Sequence, residues 1–154
     1  MENIQQVALI SGAGSESGIG MAIARRLGQQ GVHVLLTASS ARVEQRAAEL
    51  CAEGIQARAC VADLTDEQQV AELVEWAQAQ WGQIDILVNN AGMAMQGSPE
   101  PFAELADMDL ATWNLSIARN LGTAFLLTRG VLPGMRARGY GRIVNISSTT
   151  GTRG

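Results

Sequence analysis

The most chemically informative part of this chain is a glycine-rich segment near its beginning. Residues 11–20 read SGAGSESGIG and lie between the apolar run VALI (7–10) and a helix-forming stretch that begins at Met21. Glycine allows positive φ and a close approach of backbone to ligand, and the free N–H groups at the start of a helix attract anions such as pyrophosphate. Such a turn can also simply close a strand-to-helix connection, but the flanking strand and helix favour a dinucleotide site.

The residues after the second predicted strand bear on which dinucleotide is bound. In dinucleotide folds, an acid about 20 residues past the glycines holds the ribose 2′-hydroxyl of NAD, whereas a nearby arginine suits the 2′-phosphate of NADP. Here Ala38 offers no carboxylate, while Ser39 and Ser40 offer hydroxyls and Arg42 a positive charge. We therefore expect NADP(H) rather than NAD(H). The alternative is that the two serines cap the next helix and Arg42 is solvated.

Composition limits the other functions open to the chain. Its 154 residues, 47% of them hydrophobic, can bury one core, so we expect a single dinucleotide-binding domain over residues 1–154. A net charge of -4 without a basic run argues against nucleic acid or an anionic membrane as partner and favours a small molecule.

Neither the cysteines nor the chain termini indicate a metal or a membrane. Cys51 and Cys60 have no histidine cluster beside them, so we expect no metal and interpret both as buried thiols of a cytosolic protein. Residues 1–6 do not resemble a signal peptide, and no apolar run has the length of a membrane span. We expect a soluble, cytoplasmic protein.

Strand-like and helix-like segments alternate along the chain, which predicts an α/β fold: a doubly wound parallel sheet with helices on both faces. A helix over 66–81 is expected to begin at a Thr65 or Asp66 cap and to end at Gly82. After a loop with prolines at 99 and 101, a long helix over 110–132 is expected to end at Pro133. The predicted strands span residues 7–10, 32–37, 56–61, 84–88 and 142–146.

Five ordered motifs together resemble the short-chain dehydrogenases/reductases, in particular members like 3-oxoacyl-[acyl-carrier-protein] reductase. They are the glycine turn, Asp63-Leu64, DILVNNAG at 85–92, NLG at 120–122 and GRIVNISS at 141–148. The resemblance implies a Rossmann fold with strand order 3-2-1-4-5. One departure is that five residues separate Gly12 from Gly18 where the family usually has three. The extra length places Glu16 near the expected phosphates, so its side chain must point away from them.

The resemblance implies a role for each matching position in cofactor binding. The turn after Ser11, from Gly12 through Gly18 to Ile19, would hold the pyrophosphate. Asp63 and Leu64 would contact the adenine, although Asp63 could instead belong to the cap of the following helix. The adenosine-ribose side of the cleft would be lined by Asn90, Ala91 and Gly92.

The resemblance also implies two catalytic residues. Asn120 would position a water in a proton relay, and Ser148 would donate a hydrogen bond to the substrate carbonyl or alkoxide. The alternatives are a buried core amide for Asn120 and a strand-ending turn for residues 147–148. The reaction implied is hydride transfer between nicotinamide and a carbonyl or secondary alcohol, with 3-oxoacyl thioesters as the nearest substrate class.

The proton donor that the resemblance calls for is a tyrosine in a Tyr-x-x-x-Lys helix, and this sequence does not contain that pattern. All eleven basic residues are arginine, and Tyr140 is the one tyrosine. We expect Tyr140 to hydrogen-bond a nearby loop.

Two hypotheses follow from the missing pattern. In the first, the chain is the N-terminal part of a reductase and lacks strands six and seven of the full fold. The full-length protein would be a homodimer or homotetramer, and the present chain would be inactive alone. Alternatively, it is a non-catalytic nucleotide-binding or interaction module.

Overall fold

The computed structural model describes residues 5–92 and 103–149, which form a five-stranded parallel sheet covered on both faces by helices. The sheet order is β3-β2-β1-β4-β5, which confirms the predicted doubly wound order. The elements in chain order are β1 (Val7–Ser11), α1 (Ile19–Gln29), β2 (His33–Ala38), α2 (Arg42–Ala52), β3 (Ala57–Val61), α3 (Glu67–Trp81), β4 (Ile86–Asn89), α4 (Leu110–Ile117), a π-helical turn (Ala118–Gly122), α5 (Thr123–Arg138) and β5 (Arg142–Asn145). The loop predicted around residues 99–101 lies outside the described residues.

The central strand β1 is buried on both faces because its side chains alternate between two core layers. Val7 and Leu9 pack into the layer formed with α3 and α5, whereas Ala8 and Ile10 pack into the layer formed with α1 and α2. All five residues of β1 are buried. Helices on both faces therefore fix the strand from which the glycine-rich turn departs.

The predicted limits of α3 are confirmed. The Asp66 carboxylate accepts hydrogen bonds from the backbone N–H groups of Gln68 and Gln69, at 2.8 and 3.1 Å. The bond from Gln69 is the main reason that the pKa of Asp66 is lowered. The helix ends at Gly82, whose φ of 78° is left-handed and suits glycine.

The prediction that Pro133 ends the long helix is wrong. A proline lacks the N–H group that would bond the carbonyl four residues earlier, yet α5 continues to Gly139, where φ is 66°. Val131 and Met135, on either side of the proline, are buried in the core, and their packing holds the helical path. The predicted long helix does run without a break from residue 110, but residues 118–122 form a π-helical turn within it.

The cysteines are free, but the prediction that both are buried is wrong. Cys51 lies in the last turn of α2 and is exposed, and its thiol lies 3.3 Å from the carbonyl of Ala57. Cys60 lies on the edge strand β3 and is partly buried, which raises the pKa of its thiol. Within residues 5–92 and 103–149, no helix combines the length and the apolar character that crossing a bilayer requires.

Candidate functional site

Three loops meet at the carboxyl edge of the sheet, beside β1. This strand pairs in parallel with β2 on one side and with β4 on the other, so the strand order reverses here. In open α/β sheets, ligands bind in the crevice outside the carboxyl ends of the strands at such a point. The glycine-rich turn after β1, residues 39–41 after β2 and residues 90–92 after β4 therefore surround one candidate site.

Ser11 fastens the glycine-rich turn to the loop after β4. Its buried hydroxyl donates to the carbonyl of Val88 at 3.2 Å and accepts from the backbone N–H groups of Asn90 and Ala91 at 2.9 and 3.0 Å. In return, the Asn90 side-chain amide donates to the carbonyls of Ser11 and Gly12 at 3.0 and 3.2 Å. These bonds engage the Ser11 hydroxyl and the Asn90 amide, so both side chains act here by positioning the two loops.

The close approach of these loops requires glycine at two positions. Gly12 has φ of 68°, and a Cβ there would lie 2.8 Å from the Cα of Ala91. A Cβ on Gly20 would lie 2.7 Å from the side-chain nitrogen of Asn90. Both distances are shorter than real Cβ contacts, so any larger residue would separate the loops.

The glycine-rich turn leads into the N-terminus of α1, which lies open at the candidate site. Gly18 is the N-cap of α1 and has extended backbone, and no side chain caps the helix there. The first N–H groups of a helix have no partner within it, so they are available to an anion and are aided by the helix dipole. Ile19, 61% exposed, lies at the same end. The glycine cradle and the uncapped helix fit the pyrophosphate of a dinucleotide.

The segment after β2 forms a hydroxyl- and guanidinium-bearing rim beside the turn. The Arg42 Nε donates to the Ser40 hydroxyl at 3.3 Å, and Ser39 is exposed. Ala41 already has helical backbone angles and the Val43 N–H donates to the Ser40 carbonyl, so Ser40 lies at the start of α2 as well as in this rim. A Cβ on Gly14 would lie 3.2 Å from that of Ala38, so the turn lies directly against this rim.

Asp63 and Leu64, the expected adenine contacts, occupy different environments. The Asp63 carboxylate accepts from the N–H and hydroxyl of Thr65 at 2.9 and 2.7 Å, and thus braces the turn before α3. Leu64 is 5% exposed and packs into the core, which leaves only its backbone for a ligand. The helix cap itself is Asp66.

Asn120 lies in the π-helical turn between α4 and α5. Its side-chain amide donates to the carbonyl of Ser116 at 3.0 Å, and Asn120 is exposed, so the alternative of a buried core amide is wrong. A Cβ on Gly92, which has φ of 155°, would lie 2.7 Å from the Asn120 Oδ1. The structure therefore brings Asn120 to the loop after β4.

Ser148 is exposed and lies three positions beyond β5, in the segment that leaves the carboxyl edge of the sheet. This segment begins where the Asn89 amide donates to the Asn145 side-chain oxygen at 2.8 Å, joining β4 to β5. No regular helix or strand includes residues 146–148.

Tyr140 lies at the opposite edge of the sheet. Its hydroxyl accepts from the Gln6 side-chain amide at 2.6 Å, and both residues precede a strand. The guanidinium of Arg142 lies 4.8 Å from the centre of the tyrosine ring. The predicted bond to a nearby loop is confirmed, and this phenol is remote from the candidate site.

One buried charge near the site was missed by sequence reasoning. Arg46 of α2 is buried and lies 3.7 Å from the carboxylate of Glu16 in the glycine-rich turn. The signal was present, because helical periodicity places position 46 on the same face as Val43, Ala47 and Leu50. A charged residue on an apolar face needs a partner, and Glu16 supplies one.

The fold is that of a doubly wound α/β protein with a glycine-rich turn where the strand order reverses, and comparison with known proteins identifies its family. The profile of the family described as short chain dehydrogenase matches residues 6–154. The chain belongs to the short chain dehydrogenase family.

Individual relatives agree with this assignment. Oxidoreductase UcpA of Escherichia coli strain K12 is 41% identical over 146 residues, which cover 95% of this chain and 52% of the relative. A metagenomic short-chain oxidoreductase solved with NADP is 40% identical with a TM-score of 0.81, covering 93% of this chain and 62% of that one. A variant of actinorhodin polyketide ketoreductase solved with NADPH is 37% identical with a TM-score of 0.86, covering 97% and 56%. The chain spans about half the length of the curated relatives it matches.

Proposed function

We propose that this protein is an NADP(H)-dependent oxidoreductase that acts on a carbonyl or secondary alcohol, with 3-oxoacyl compounds or similar ketones as the nearest substrate class. The observation that carries the proposal is the uncapped start of α1 beside a rim of Ser39, Ser40 and Arg42 that bears no carboxylate. We also propose that the substrate is a small molecule and that the full-length protein is a cytoplasmic homo-oligomer. The ketoreductase solved with NADPH supports the choice of substrate class.

Different residues at the carboxyl edge bind different parts of the cofactor. The backbone of Gly12, Gly18 and Ile19 holds the pyrophosphate, and Ser39 with Arg42 receives the 2′-phosphate through hydroxyl and guanidinium donors. The backbone around Asp63 and Leu64 borders the adenine. Ala91 and Gly92, with Asn90 behind them, line the adenosine-ribose side.

The same edge carries the groups that would orient a carbonyl. When bound, the nicotinamide supplies the hydride. Asn120 holds a water near the loop after β4, and Ser148 donates a hydrogen bond to the carbonyl oxygen. Tyr140 is hydrogen-bonded at the other edge and the sequence has no lysine, so we expect these 154 residues to bind the dinucleotide without reducing ketones at an enzymatic rate.

Titration of NADPH and NADH tests the cofactor assignment. We expect the wild-type protein to bind NADPH more tightly, and Ala38→Asp to reverse the order by placing a carboxylate at the 2′-phosphate. Like-charge repulsion at this range weakens binding on the order of tenfold or more. Ala48→Asp, on the exposed side of α2, makes the same charge change away from the rim and should leave the order unchanged.

Each outcome of this titration bears on a different part of the proposal. A wild-type protein that prefers NADH would overturn the NADP(H) assignment. A protein that binds neither dinucleotide would overturn the proposed function as a whole. Measurable ketone reduction by these 154 residues would show that another group supplies the proton.

A further inference from the structure

We propose that Arg46 is a positioning residue that sets the preference for NADP(H) by holding the carboxylate of Glu16 away from the phosphates of the dinucleotide. The inference rests on the proposed function and adds to it a specificity-determining pair outside the residues that would touch the ligand.

Glu16 is an unexpected residue in a turn that binds anions. It lies between Gly14, which contacts the rim after β2, and Gly18, which begins the uncapped helix α1. The open N–H groups that attract a phosphate attract a carboxylate as well. The Glu16 side chain is 80% exposed, so packing does not decide where it points.

The buried guanidinium of Arg46 sets the direction in which the Glu16 carboxylate points. The Arg46 side chain is 8% exposed, one guanidinium nitrogen lies 3.7 Å from the Glu16 carboxylate, and another bonds Glu49 on the same helix. Its Nε is buried without a hydrogen-bond partner among the described residues, so one donor of this guanidinium is unsatisfied although Glu49 pairs with its charge. Because its stem is packed into the buried face of α2, the arginine is fixed in place beside the exposed Glu16 carboxylate.

The pair affects the two dinucleotides unequally. NADPH carries a 2′-phosphate that NADH lacks, and this phosphate would lie at the rim of Ser39, Ser40 and Arg42. The turn that bears Glu16 touches this rim, because a Cβ on Gly14 would lie 3.9 Å from the Ser40 hydroxyl. Release of Glu16 from Arg46 should therefore weaken NADPH binding more than NADH binding.

A double-mutant cycle with four proteins tests the pair: wild type, Arg46→Met, Glu16→Gln and the double variant. Titration with NADPH and with NADH gives the ratio of their dissociation constants for each. We expect Arg46→Met to shift this ratio against NADPH by about threefold to tenfold, as suits one partly screened charge. Adding Glu16→Gln to Arg46→Met should restore the ratio to within about twofold of wild type, because the unpaired carboxylate is gone.

Arg129→Met is the matched control. It removes an arginine that pairs with Glu67, with the same change in net charge, on α5 at the opposite face of the sheet from α1 and α2. We expect it to leave the ratio unchanged. An equal shift in Arg129→Met and Arg46→Met would reduce the effect to net charge and overturn the proposal.

A second measurement stands even if Arg46→Met does not fold. In Glu16→Gln alone, which changes an exposed side chain, the ratio of the dissociation constants should stay within about twofold of wild type, because the paired carboxylate already lies away from the phosphates. A several-fold gain in preference for NADPH in this variant would show that Arg46 does not hold the carboxylate away. If wild type binds no dinucleotide, the proposed function fails, whereas normal wild-type binding with no shift in Arg46→Met refutes only the role of Arg46.

Discussion

Strands β1 and β5 both pair with β4, yet they differ completely in their surroundings. Every residue of β1 is buried, whereas all four residues of β5 are exposed. The loop that leaves β1 is fixed by the bonds between Ser11 and Asn90. The candidate cofactor site thus departs from a buried strand, whereas the segment that carries Ser148 follows an exposed one.

The region around Asn120 resembles β5 in this respect. Helix α4 has no buried residue, and its Leu110 and Trp113 are 72% and 48% exposed. Regions with few buried apolar contacts open at lower free energy than the core does. The residues proposed to hold the dinucleotide thus lie beside buried elements, whereas the groups proposed to orient a substrate lie on exposed ones.

The largest expected effect comes from Gly12→Ala, at the centre of the rigid region. The added Cβ combines positive φ with a contact of 2.8 Å to Ala91, so we expect a loss of about 2 to 4 kcal/mol in the free energy of unfolding and no measurable dinucleotide binding. Denaturant melts and titrations with NADPH check both.

Gly31→Ala separates the effect of positive φ from the effect of the close contact with Ala91. Gly31 also has positive φ, 87°, but nothing lies within 4 Å of its ideal Cβ. We expect it to cost about 1 kcal/mol and to leave binding intact. Equal loss of binding in both variants would mean that the contact between the two loops is unimportant.

A smaller effect distinguishes the two strand environments with one substitution. Val34 on β2 is fully buried and Val144 on β5 is 45% exposed. We expect Val34→Ala to lower the free energy of unfolding by about 2 kcal/mol and Val144→Ala by less than about 1 kcal/mol. Similar losses would show that β5 is covered in solution and that the two strands do not differ in burial.

The smallest effect concerns His33, at the amino edge of the sheet. Burial, and then the charge of Arg58, lower the pKa of His33 in the folded state. The unfolded state therefore binds more protons below about pH 6.5, so stability should fall as pH decreases through that range. His33→Phe keeps the ring against Trp81, 4.7 Å away centre to centre, and should weaken this dependence in melts at pH 7 and pH 5.5. Dinucleotide binding should not change, and an unaltered pH profile would argue against the lowered pKa.

Local sequence patterns correctly predicted helix limits that depend on hydrogen bonds and backbone conformation within a few residues. The Asp66 cap and the left-handed Gly82 set the limits of α3, and both could be read from residue type alone. Pro133 could not, since its position in α5 is tolerated only because Val131 and Met135 are buried against other elements. Cys51 was likewise misjudged, because its exposure depends on how the end of α2 lies on the sheet.

The sequence by itself determined the alternation of strands and helices, the glycine-rich turn and the absence of a carboxylate after β2, since each follows from residue type and spacing along the chain. Only the tertiary structure decided which side chains face a ligand. In the fold, the Ser11 hydroxyl accepts hydrogen bonds from Asn90 and Ala91, and the Leu64 side chain packs into the core. The Glu16 carboxylate pairs with Arg46. These partners come from different elements, and packing alone brings them within bonding distance.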